Sequence, residues 1–254
     1  MKPIAIITGA SSGFGEAIAS HLASAGWDLI LLARRADRLD QLRLKLEKEH
    51  STRSLTFQCD VRNLDEVEKV YSLLPQDWKK FEVLINNAGL AVGKEPLDEG
   101  NIEDWNRMID TNVKGLIHVT RTFVRSMIEN KKGTIINVGS IAGKEVYPGG
   151  NVYSASKYAV DALTKSMRID FLPHNIRVGQ IAPGAAETEF SVVRFKGNLD
   201  KANAVYQGFD ALQADDIAEA VLFIISRPSH VCINDMVIMP TAQASATIFH
   251  KTNA

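Results

Sequence analysis

The 254 residues hold only two cysteines, Cys59 and Cys232, and six scattered histidines. No histidine stands at a metal-ligand spacing from another histidine, a cysteine or a carboxylate, so no metal site is expected. No run approaches the roughly 20 apolar residues that cross a bilayer. Met1-Lys2-Pro3 leads straight into an apolar stretch and reads as no leader peptide. Charge of one sign is lacking too: 29 lysines and arginines against 30 acids leave a net of −1. Nothing in that balance suggests a nucleic-acid partner or a membrane surface. There is no Pro/Ser-rich linker and no internal repeat. These absences leave one domain, cytoplasmic by default, with both thiols free and buried in apolar surroundings.

What is present is alternation. Short apolar runs lie at Ile4–Thr8, Asp28–Ala33, Ser54–Cys59, Val83–Asn86, Thr134–Val138, Arg177–Ile181 and Met236–Met239. Between them fall helix-like segments at 14–25, 36–49, 64–74, 102–130, 152–172 and 215–226. Strand–helix alternation makes βαβ units and a parallel sheet covered on both faces. The expected fold is α/β, a single-domain doubly wound Rossmann fold with a seven-stranded parallel sheet over residues 1–240. Residues 189–210 lack clean periodicity and read as a mobile lid. Residues 241–254 read as a tail.

The first turn, Thr8-Gly9-Ala10-Ser11-Ser12-Gly13-Phe14-Gly15, follows a strand and opens a helix. Its glycines let backbone approach a ligand, and the helix N-terminus offers free N–H groups to a pyrophosphate. A dinucleotide is expected there. An acidic residue at the end of the second strand would hold a ribose 2′-hydroxyl, whereas arginine accommodates a 2′-phosphate. The chain has Arg34 and Arg35 there, with no acid before Asp37, so the cofactor expected is NADP. Asp60, beside Val61 after the third strand, suits either the adenine amino group or a turn. Asn86-Asn87-Ala88-Gly89 closes the fourth strand with small residues and amides that would line the cofactor. Asn112 precedes Gly115 by three positions inside a helical pattern, a local conflict that marks a packed or functional site. Ser140 ends the fifth strand.

Tyr153 and Lys157 stand four residues apart, neighbours on one helical face. A free tyrosine titrates near 10, and an ammonium within about 4–6 Å favours the phenolate. Reaching neutrality takes about 3 pH units, or roughly 4 kcal/mol of differential stabilisation. A tyrosine so tuned is a general acid/base for an alcohol or carbonyl.

Taken in order, these motifs resemble the short-chain dehydrogenase/reductase family, from about Ile4 to Met239. The resemblance implies that Tyr153 is the acid/base and that Lys157 lowers its pKa and binds the nicotinamide ribose. It also implies that Ser140 steadies the substrate oxygen and Asn112 holds a water in a proton relay. Pro183, Gly184 and Thr188 would meet the nicotinamide end. A narrower likeness lies in Ser12 to Glu16, Gly149 to Tyr153 and Thr188 to Gly197. These stretches are similar to the NADP-dependent 3-hydroxy acid (serine/L-allo-threonine) dehydrogenases, also described as malonic semialdehyde reductases. A hydroxy-acid substrate then needs a cation, from Arg194 or Lys196, with Asn151 also in the substrate site. The chain departs from that group at Lys144-Glu145 and Ala185-Ala186-Glu187. Other readings are a reductase of another small aldehyde or ketone, sulfonated, sugar-like or xenobiotic, and a non-catalytic NADP-binding sensor. By resemblance the chain is a homotetramer, paired through its two long central helices, and its tail reaches a neighbouring subunit.

Overall fold

The strands form where apolar residues run unbroken. In the computed structural model, which describes residues 2–252, every residue of β1 (Ile4–Thr8) and β2 (Asp28–Ala33) is buried. Met1, Asn253 and Ala254, the last two belonging to the expected tail, lie outside the described residues. β4 (Val83–Asn86) and β5 (Gly133–Val138) are buried throughout as well. Helices on both faces remove the solvent side, and with it any need for alternation. The edges differ: β3 (Ser54–Gln58) and β7 (Asp235–Ile238) are partly open. With β6 (Ile176–Pro183), these strands form one parallel sheet in the order β3-β2-β1-β4-β5-β6-β7. The doubly wound parallel fold expected from the alternation is the fold observed. The order reverses between β1 and β4, and ligands of open α/β sheets bind outside the carboxyl ends at that point.

One face is covered by α1 (Gly13–Ser24), α2 (Ala36–His50) and α9 (Ala214–Ile225). Ile18, Leu22, Leu39, Leu42, Leu46, Ile217 and Val221 form its core against the strands. The leucines of α2 recur at three- and four-residue steps, and each contributes roughly 1.5–3 kcal/mol by burial. The opposite face carries α3 (Leu64–Leu73), α5 (Leu116–Asn130) and α6 (Asn151–Asp170), packed through Val67, Phe123, Met127, Val160 and Met167.

The helix expected over 102–130 is not continuous. It runs as α4 (Ile102–Ile109), a π-helical stretch from Asp110 to Gly115, and then α5. A Cβ on Gly115 would come 2.7 Å from Val61 Cγ2, so only glycine lets this helix approach the loop after β3. The π-helical turn holds Asn112, the residue whose helix position looked unfavourable.

Within 189–210 lie two six-residue helices, α7 (Glu189–Arg194) and α8 (Leu199–Ala204), each too short to print a periodic pattern. The tail packs on its own chain. Gln243 Oε1 accepts the Ala185 N–H (2.8 Å), the Ala246 N–H donates to Glu145 Oε2 (2.8 Å), and the Thr252 N–H donates to Gly208 O (2.9 Å). Phe249 meets Phe209 at 5.2 Å between ring centroids. Of the two thiols, Cys59 is buried and held up to about 12 by burial, but Cys232 is exposed. Cys232 lies in the loop before β7, so the expectation of two buried thiols fails for it.

Candidate active site

Thr8 ends β1 fully buried, and its hydroxyl ties the first turn to the fourth strand's turn. Its Oγ1 accepts the N–H groups of Asn87 and Ala88 (3.0 Å each) and donates to Ile85 O (3.3 Å). Asn87 Nδ2 returns a bond to Thr8 O at 2.8 Å. Gly9 adopts φ +67°, and a Cβ there would come 2.9 Å from Asn87 Nδ2, so the turn needs glycine on both counts. A groove of about 270 Å³ opens here, between the start of α1 and the ends of β1, β2 and β4. Gly9, Ser11, Ser12, Gly13, Phe14, Arg34, Arg35, Val61, Asn87, Ala88 and Gly89 line it, as do Tyr153, Lys157 and Thr188.

The two arginines differ. Arg35 is engaged: its Nε and Nη2 donate to Ser11 and Ser12 (3.1 and 2.6 Å), and its Nη1 reaches Glu189 at 2.9 Å. Glu189 also takes Arg38 at 2.6 Å, which ties α7 to the rim of the groove. Arg34 has no hydrogen-bonded acid among the described residues. Burial, with the charges of Arg107, Arg62 and Arg35, lowers its guanidinium below the ordinary value, and only Asp60 opposes. A cation crowded by cations and lining a groove suits a dianionic phosphate. This donor set, a glycine turn at a helix N-terminus with a free arginine on the adjacent strand, fits NADP.

Tyr153 and Lys157 project together from the first turns of α6, and both are nearly buried. Burial raises the Tyr153 phenol above its ordinary value; Tyr147 adds to that, while Ser140 and the Arg194 charge pull against it. Burial alone lowers Lys157, to about 8. Its Nζ donates to Val138 O at 2.9 Å and lies 6.0 Å from the centre of the Tyr153 ring. The expected pull of Lys157 on the phenol is therefore not what sets it in this structure. The two groups share a dry site, and desolvation drives each toward its neutral form.

A second cavity, of about 560 Å³, meets the groove at Tyr153. Ser140, Tyr147, Phe190, Arg194 and Tyr206 form its walls, with Gln243, Phe249 and Lys251 from the C-terminal segment. Arg194 is half-buried; its Nε donates to Gly93 O (3.2 Å), and its guanidinium lies 5.3 Å from the Tyr147 ring centre and 5.8 Å from that of Tyr153. Arg194 Nη2 and Tyr147 Oη are both buried without a hydrogen-bond partner. The two face each other: burial raises the Tyr147 phenol and Arg194 pulls against it, and this part of the cavity wall has no anionic partner among the described residues.

Several expected residues stand elsewhere. Asn151 Nδ2 donates to Glu95 O (2.9 Å) and its Oδ1 accepts the Val152 N–H (2.6 Å), so it serves the start of α6 and lines neither cavity. Lys196 points away and pairs with Asp104 at 2.6 Å. Asp60 lines the groove, but both carboxylate oxygens accept from Arg62, which lowers its pKa and leaves the turn reading standing. Pro183 and Gly184 line the second cavity rather than the groove. Asn112 is buried: Oδ1 accepts the Leu90 N–H (2.8 Å), and Nδ2 donates to Leu90 O (2.8 Å) and Ser156 Oγ (3.0 Å). Its side chain pins loop to helix with both Nδ2 hydrogens used, while Oδ1 keeps a second lone pair. Lys144, where the chain departs from the hydroxy-acid group, bridges Asp161 and Asp235. Tyr147, Glu189 and Lys251 carried no local sequence signal, since each meets its partners across long stretches of chain.

The residues matched by the family model described as short chain dehydrogenase are 3–199. Sulfoacetaldehyde reductase 2 of Chromohalobacter salexigens is 43% identical over 245 residues, 96% of each chain. An NADP-dependent 3-hydroxy acid dehydrogenase of Salmonella typhi is 44% identical over 244 residues, 96% of this chain and 97% of the relative. Among solved structures, the closed form of a serine dehydrogenase complexed with NADP⁺ superposes with a TM-score of 0.91 at 41% identity, over 98% of this chain and 100% of that one.

Proposed function

We infer the function from one premise: the chain belongs to the short-chain dehydrogenase family, whose model spans residues 3–199. It is an NADP-dependent oxidoreductase acting on a hydroxyl-bearing carbon or the matching carbonyl. Its substrates are small 3-hydroxy acids of the serine, allo-threonine or 3-hydroxypropionate type and their 3-oxo acids or semialdehydes. The observation carrying the acid is Arg194, whose buried Nη2 lacks a partner beside Tyr153. A carboxylate is the acceptor that guanidinium wants.

Bound NADP(H) supplies or takes the hydride. Tyr153 moves the proton: in reduction its phenol, kept neutral by burial, donates to the carbonyl oxygen, and in oxidation its phenolate form receives the hydroxyl proton. Ser140 donates to that oxygen as charge builds on it. Lys157 faces the groove and binds the nicotinamide ribose. Arg34 takes the 2′-phosphate, with Arg35 held against Ser11 and Ser12 behind it. Residues 1–240 make up the catalytic domain, and 189–210 its lid. We place the protein in the cytoplasm as a homotetramer; among the described residues no helix is long and apolar enough to cross a membrane. Ile117 on α5 and Tyr158 and Ile169 on α6 expose apolar surface that such pairing would cover, and light scattering at four times the chain mass is expected.

The deciding experiment is NADP⁺ reduction with L-serine, L-allo-threonine and 3-hydroxypropionate against uncharged alcohols of similar size, with NAD⁺ as control. Activity with the acids and NADP⁺ is expected. Turnover of the uncharged alcohols alone would remove the hydroxy-acid assignment. A sulfonate would suit Arg194 as well, and the identity to sulfoacetaldehyde reductase 2 favours that second reading. NADPH oxidation by sulfoacetaldehyde faster than by malonic semialdehyde would select it.

A further inference from the structure

The substrate cavity is larger and more cationic than a small mono-acid requires. Pockets of about 300–1,000 Å³ enclose drug-sized ligands. This cavity has about 560 Å³; the nicotinamide end that Pro183, Gly184 and Thr188 would meet takes part of it, and 3-hydroxypropionate has only about six non-hydrogen atoms. Lys94, Arg194, Lys201 and Lys251 all line it, and no aspartate or glutamate does. None of the four pairs with a carboxylate among the described residues.

Lys94 feels two of the others. Burial, then the charges of Arg194 and Lys251, lowers Lys94 from its ordinary value. Lys251 is held in place by the C-terminal segment: its Nζ donates to Val205 O (3.2 Å) and lies 5.2 Å from the Phe209 ring centre and 5.9 Å from that of Phe249. Arg194 stands nearer the chemistry, against Tyr147 and Tyr153. One carboxylate on Arg194 would satisfy its orphaned Nη2 and leave Lys94 and Lys251 repelling without a counter-ion. Cations gathered without an acid stabilise an incoming anion by the repulsion it relieves.

We propose that Lys94 and Lys251 form a second anion subsite, so that the preferred substrates are 3-hydroxy acids carrying a further acidic group at the far end, short-chain hydroxy dicarboxylates. The proposal rests on the hydroxy-acid reading. One carboxylate meets Arg194, the carbinol lies at Tyr153 and Ser140, and the other carboxylate meets Lys94 and Lys251. The step is unchanged: the carbinol C–H leaves as hydride to NADP⁺ and the hydroxyl proton goes to the phenolate form of Tyr153, giving the 3-oxo diacid, NADPH and the neutral phenol.

The probes are 3-hydroxyglutarate and its monomethyl ester, nearly equal in size and differing by one charge. With NADP⁺, kcat/KM for the diacid should exceed that for the ester by about tenfold or more, the worth of one charge-assisted contact. The double variant Lys94→Gln/Lys251→Gln should bring that ratio close to one, with NADPH binding measured on the same sample to show that it is folded. Independently of turnover, glutarate should bind the NADP⁺ complex about tenfold tighter than monomethyl glutarate, and the double variant should lose that difference. Equal treatment of diacid and ester, in rate and in binding, would overturn the subsite, as would a preference that survives in the double variant. If no hydroxy acid turns over but glutarate still binds preferentially, the hydroxy-acid reading falls while the subsite stands.

Discussion

Tyr153 and Lys157 occupy a site dry enough to turn both toward their neutral forms, and each makes a different prediction. Tyr153→Phe keeps the ring and its contact with Phe190 but removes the proton carrier. Turnover should fall by about 10²–10⁴, with NADPH affinity, read by fluorescence titration, unchanged within about twofold. A variant that still turns over would take the proton role from Tyr153. Lys157 is a stability statement: its pKa falls from 10.5 to about 8 on folding, so the unfolded chain binds more protons between those values. The stability Lys157 contributes is present above 10.5 and lost as pH falls through 8. Lys157→Met should therefore gain on the wild type as pH drops from 10.5 to 7, by roughly 3 kcal/mol. Denaturant midpoints for both proteins at the two pH values check this, and a pH-independent difference would contradict it. The spacing of this pair was legible from its four-residue step. The protonation balance was not, because it depends on burial by side chains distant in sequence.

At the scale of elements, the strands, the helices and the glycine turn were readable because each rests on local chemistry: apolar runs, helical periodicity, small residues at a βα junction. The break at Asp110–Gly115 was visible only as a misplaced asparagine and glycine. Its cause, the approach of Gly115 to Val61, joins residues from separate elements. Asn112 is the bond between that π-helical turn, the loop at Leu90 and α6. Asn112→Ala would leave the buried Leu90 N–H and C=O unpartnered, and a loss of about 2–4 kcal/mol is expected. Chemical denaturation measures it; a loss under about 1 kcal/mol would mean that the loop finds other partners. The short helices α7 and α8 escaped the sequence reading because six residues are fewer than two turns.

The whole molecule divides its labour along the chain. The nucleotide groove is complete by Val193, whereas the substrate cavity also draws on Gln243, Ala246, Phe249 and Lys251. A chain ending at Pro240 should keep its sheet and bind NADPH, and should lose saturation by hydroxy acids, with KM raised about tenfold or more. Circular dichroism and cofactor titration beside steady-state kinetics test the separation; equal loss of both ligands would show that the segment supports the fold instead. No periodic signal could have marked residues 241–252 as a cavity wall, since they bind the body through backbone groups and single side chains. Ribosomes extend a chain from its N-terminus at about 5–20 residues per second. The sheet and the nucleotide groove are thus encoded ahead of the segment that closes the substrate cavity, and that segment is added to a body already specified.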